Sequence, residues 1–122
     1  MLIVTTIYPL ADWVHQIGGP HVIAQALLKP GSSPHTYEPT PQDSLLLARA
    51  TGMVSIGLGL ETWLQDLAQA TGAEAPRLLE LGATLDKSQL LKDDPHVWLD
   101  PILAARMVRE VGRWLGTLDL AH

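Results

Sequence analysis

Two histidines stand in short loops stiffened by proline. Imidazole nitrogen is a borderline donor suited to zinc, manganese, iron or nickel. His96 lies in DPHVWLDP, residues 94–101, between two Asp-Pro pairs. Proline fixes its own φ and pushes the preceding residue out of the helical region, so each Asp-Pro is a rigid turn. His35 lies in PHTYEPTP, residues 34–41, a loop braced in the same way. A closed zinc site takes four donors at about 2.0–2.1 Å for nitrogen, and two imidazoles supply half of that set. Glu38, Asp94 and Asp100 are close enough in sequence to orient the rings as outer partners. They also suit turns and caps. Asp100 followed by Pro101 reads as a helix N-cap and first helical residue, while Glu38 stays undecided between the two roles. His15 falls off the apolar stripe of its helix and His21 sits in a turn, so both read as solvated.

Other chemistries compete for the same residues. The chain has no cysteine, which removes disulfides, thiolate metal sites and thiol nucleophiles together. A serine hydrolase needs its nucleophile on a sharp strand-to-helix turn, and Ser32, Ser33 and Thr36 lack a G-x-S-x-G setting. A metallohydrolase built on His35, His96 and Glu38 needs an open coordination position and a base. A metal-free interaction module would use Trp63, Trp98 or Trp114 as its anchor, although Trp63 and Trp114 fall at helical spacing and read as core. Gly57-Leu58-Gly59 hints at a phosphate loop, but the third glycine is missing and Glu61 puts negative charge where a phosphate would sit. A net charge of −5 argues against nucleic acid as a partner.

The elements that must carry these loops follow from periodicity. The chain has 122 residues, 47% of them apolar, which suits one packed core rather than disorder. Strands are expected at residues 2–6, 22–28, 52–56 and 77–81, from short β-branched or apolar runs between turn signals. Helices are expected over 10–17, from Pro41 to about Ala50, from about Glu61, and over 102–118. Thr40, Pro41 and Asp43 form a helix-start signature. Residues 82–93 carry little pattern. The most apolar stretch, 45–60, is broken by Arg49 and by glycines, and falls short of the ~20 residues of a membrane span. No signal peptide is visible.

Strand alternating with helix four times implies an α/β fold, a four-stranded parallel sheet with helices on both faces. Both histidine loops then leave the carboxyl ends of strands, the edge where such sheets gather ligands. With strand order 2-1-3-4, the strands feeding the loops stand ~14 Å apart, three spacings of ~4.8 Å, which both loops can bridge. On these residues alone, a metal site, a hydrolase and an interaction module all remain open.

The two histidine motifs resemble the amino-lobe signatures of the metal-binding proteins of ABC importers for zinc and manganese. IVTTIYP at residues 3–9, the Gly18-Gly19 turn and GLGLETWL at residues 57–64 are similar to that family as well. The resemblance runs along essentially the whole chain. It implies a (βα)4 lobe of a two-lobed, periplasmic-binding-protein-like fold, with residues 1–122 as the amino-terminal lobe. It implies a periplasmic or extracellular, membrane-associated protein that is not an enzyme. Such a protein captures Zn2+, or alternatively Mn2+, with high affinity and delivers it to an ABC permease. His35 and His96 would be the metal ligands of this lobe, with two more from a second lobe. The chain departs from the family in stopping at His122, near where a linking helix should begin, in lacking a secretion signal or lipoprotein cysteine, and in lacking a histidine-rich loop before His96. The second lobe is therefore expected to be absent, and the uncovered interface to favour a homo-oligomer. GLGLETWL and EPTP lean towards the zinc branch.

Overall fold

The computed structural model describes residues 1–72, 76–86, 88, 90 and 95–118. Strand β1 (Leu2–Thr5) leads to helix α1 (Tyr8–Gly18), then β2 (Ile23–Ala26), α2 (Pro41–Arg49), β3 (Gly52–Ser55), α3 (Leu64–Thr71), β4 (Arg77–Glu80) and α4 (Pro101–Leu118). Short 3-10 turns cover Gly19–His21, Leu81–Thr84 and Val97–Leu99. The four strands form a single parallel sheet in the order β2-β1-β3-β4. This is the fold class that the alternation predicts, and the order is the one assumed above for the spacing of the two loops. Among the described residues no helix is long and apolar enough to cross a membrane.

Position in the sheet follows composition. The inner strands β1 and β3 are almost wholly buried, whereas the outer strands β2 and β4 show Ile23 and Leu78 to solvent. Helix α1 packs against α4, and α2 against α3. Because β1 feeds β2 on one side while the later crossovers run the other way, right-handed connections put these helix pairs on opposite faces. Gly52 leaves the space that the Trp114 indole occupies, and a Cβ there would run into that ring. Both faces of the sheet are dry, lined by Ile3, Val4, Met53, Val54, Leu47, Leu67, Met107 and Val111.

The strands are shorter than their apolar runs, ending at Thr5, Ala26, Ser55 and Glu80. The residues beyond them turn into the loops at the rim. Helix α3 starts at Leu64 and not at Glu61, because the Glu61 side chain is taken up below the helix. Residues 81–84, expected to be an unpatterned connection after Leu81, form a 3-10 turn with Leu81 and Gly82 buried. Asp94 and His122 lie outside the described residues.

Candidate metal centre

His35 and His96 meet at the carboxyl rim of the sheet. Their ring centroids lie 5.4 Å apart, with the planes inclined at 56°. An ion bound at ~2.0–2.1 Å by one nitrogen stands about 3.2 Å from that ring's centre, so a tetrahedral pair has centroids about 5.2 Å apart. The observed 5.4 Å is close to that distance. Both histidines are exposed. Among the described residues, no group of three or more His, Cys, Asp or Glu side chains is arranged to hold a metal. Glu38 is exposed and completes no such group.

His96 is held by its own segment. Pro95 and Val97 on either side are buried. The His96 carbonyl accepts the amide of Leu99 at 3.2 Å, and the Val97 carbonyl accepts that of Asp100 at 3.2 Å. Asp100 Oδ1 then accepts the amides of Ile102 at 2.9 Å and Leu103 at 3.3 Å. Trp98 stands 5.2 Å from the His96 ring, half-buried, and forms a wall beside the pair rather than a free anchor.

His35 is held from a distance. The Trp63 indole N–H donates to the Pro34 carbonyl at 2.7 Å, across 29 positions of sequence. The Tyr37 ring packs at 4.9 Å on Trp63, and its hydroxyl donates to Asp43 Oδ2 at 2.5 Å. The same Asp43 oxygen accepts the Thr40 amide at 2.9 Å, closing the start of α2. Burial first, then the hydrogen bond and charge of Asp43, push the Tyr37 phenol from 10.0 up to about 12. Trp63 was expected in the core and is there; its polar edge reaching the histidine loop was not foreseen. A buried indole N–H needs an acceptor, and that requirement is the signal which could have found the link.

The G-x-G turn binds an internal anion. Gly57, Leu58 and Gly59 are all left-handed, with φ of 76°, 56° and 81°. This aims the amides of Ile56 and Gly57 at the Glu61 carboxylate, at 2.9 and 2.8 Å. Thr6 Oγ1 donates a third bond at 2.5 Å. Glu61 is only 8% exposed and fills the place where the sequence hint put a phosphate. His15 and His21 are exposed, as expected.

Residues 3–122 match the family model described as zinc-uptake complex component A, periplasmic. A putative metal-binding protein of Thermotoga maritima is 36% identical over 102 residues, covering 81% of this chain and 34% of that protein. A manganese-binding lipoprotein, MntA of Halalkalibacterium halodurans, is 36% identical over 101 residues, covering 80% of this chain and 33% of its own length. The solved periplasmic zinc binding protein TroA from Treponema pallidum superposes with a TM-score of 0.85 at 33% identity, over 96% of this chain and 44% of that one. The chain thus spans about a third of the length of the curated relatives it matches.

Proposed function

Because the chain belongs to the periplasmic zinc-uptake component A family, we propose that it captures a divalent transition-metal ion through His35 and His96 for delivery to an ABC permease. The observation that carries this reading is the 5.4 Å approach of two imidazoles from separate loops. Two exposed rings satisfy only part of a coordination sphere, and in the two-lobed arrangement of the family a second lobe supplies the rest. The chain then forms one lobe of such a protein and works outside the cytoplasm. The hydrolytic reading falls, because the relatives are metal-binding proteins and not enzymes.

Zinc is favoured over manganese. Nitrogen donors bind zinc more tightly in the usual stability order, and the family model is a zinc-uptake component. MntA, a manganese-binding lipoprotein, stands among the relatives, so the preference needs a direct comparison. Zinc and manganese are titrated by calorimetry into the wild type, His35→Ala and His96→Ala. Zinc should bind the wild type more tightly, and each substitution should weaken it at least about tenfold. Two variants that bind as the wild type does would refute the assignment. Only neutral imidazole is a donor, so binding should also weaken as the solution is acidified.

A further inference from the structure

We propose that Trp63 is the positioning residue for His35: its indole N–H holds the Pro34 carbonyl, next to the ligand, and fixes where the imidazole stands before an ion arrives. The inference rests on the metal reading above and assigns the part of the structure that organises it.

The two ligands differ in how much help they need. His96 sits between buried neighbours and runs directly into a capped helix. His35 has no such support. Gly31, Ser32, Ser33 and Thr36 around it are exposed. Its own local bonds are long, 3.3 Å from the His35 amide to Ser33 Oγ and 3.4 Å from the Thr36 amide to the Ser33 carbonyl. A loop of that kind would lose conformational freedom on binding an ion, and that loss would weaken binding. Trp63 removes much of that freedom in advance. It bonds the residue before His35 at 2.7 Å and packs at a tilt against Tyr37, two residues after it.

Trp63 is itself placed from below. Glu61 is bonded to the ends of β1 and β3 through Thr6, Ile56 and Gly57. Its carbonyl accepts the Leu64 amide at 3.1 Å, and the Trp63 carbonyl accepts that of Leu67 at 3.1 Å. The sheet's inner strands thus locate the turn, the turn locates the indole, and the indole locates the histidine loop. A site held by such an outer layer is preorganised, and loosening that layer displaces the ligands.

Trp63→Phe tests this, since it keeps an aromatic ring against Tyr37 while removing the N–H along with part of the indole. Two quantities are read on the chain: zinc affinity, and the backbone order of residues 33–37 by NMR relaxation without metal. The expected result is binding about fivefold weaker, the worth of one hydrogen bond, together with lower order in 33–37 and none lost at 95–99. The effect should persist in the His96→Ala background and vanish in His35→Ala, because Trp63 acts through His35. A Trp63→Phe chain with wild-type affinity and an equally ordered loop overturns the proposal, as does an equal loss in both backgrounds. If Trp63→Phe does not fold, Tyr37→Phe takes its place. It frees the other end of the same loop from Asp43 and should move both readouts the same way; unchanged readouts overturn the proposal. If the wild type binds no zinc, the metal reading itself has failed, in a measurement that does not involve Trp63.

Discussion

At the scale of single residues, the site combines two legible side chains with three whose roles are hidden. His35 and His96 stand out in the sequence because proline brackets both and because both follow strands. Glu61, Trp63 and Tyr37 do not. Their importance lies in which backbone atoms reach them, and sequence spacing says nothing of where the Pro34 carbonyl crosses α3. Glu61 shows the limit well. Its charge was read as arguing against a phosphate, when the carboxylate itself occupies the nest of amides. Tyr37 offers a direct check. Its folded value lies above the ordinary one, so the neutral form is preferred in the folded state. The corresponding stability is complete below pH 10 and is lost as pH rises towards about 12. A Tyr8→Phe chain leaves Tyr37 as the remaining tyrosine, and its ultraviolet titration should show ionisation at about pH 12. Ionisation near 10 would mean that the phenol is not held against Asp43.

At the scale of elements, periodicity located the four strands and four α-helices of the described residues, and erred at their ends. Apolar runs continue past the last paired residue because Leu27, Leu28 and Ile56 go on filling the core after the ladder stops. Helix α2 is the element on which the site leans most. Its start uses Asp43 twice, once for the Thr40 amide and once for the Tyr37 hydroxyl. Asp43→Ala removes both bonds and should cost about 1–2 kcal/mol in urea unfolding, more than an ordinary cap at the low end of its range. A change within about 0.5 kcal/mol, as for an unremarkable surface position, would show that α2 does not depend on this carboxylate.

At the scale of the whole molecule, the parallel sheet is what lets the loops of His35 and His96 share one edge. All four strands run parallel, so both loops leave at one edge, and the strand order sets only the span between them. Two of the apolar side chains exposed on the described surface, Leu99 at 71% and Ile102 at 67%, follow closely after His96 in the chain. An ion that binds only the folded chain must also stabilise it. At a hundred times the dissociation constant the gain is about 2.7 kcal/mol, worth about 10 °C in a domain of this size. A scan with and without zinc should show that rise in the wild type, and none in a chain carrying both His35→Ala and His96→Ala.

The two rings are moored on opposite sides of the sheet. His35 is tied through Trp63 to the layer of α2 and α3, and His96 through Val97 and Asp100 to that of α4 and α1. An ion gripped by both becomes a rivet joining the two layers above the strand ends. On the proposed reading, ligand and brace are the same atom, and releasing it leaves the softer of two forms behind.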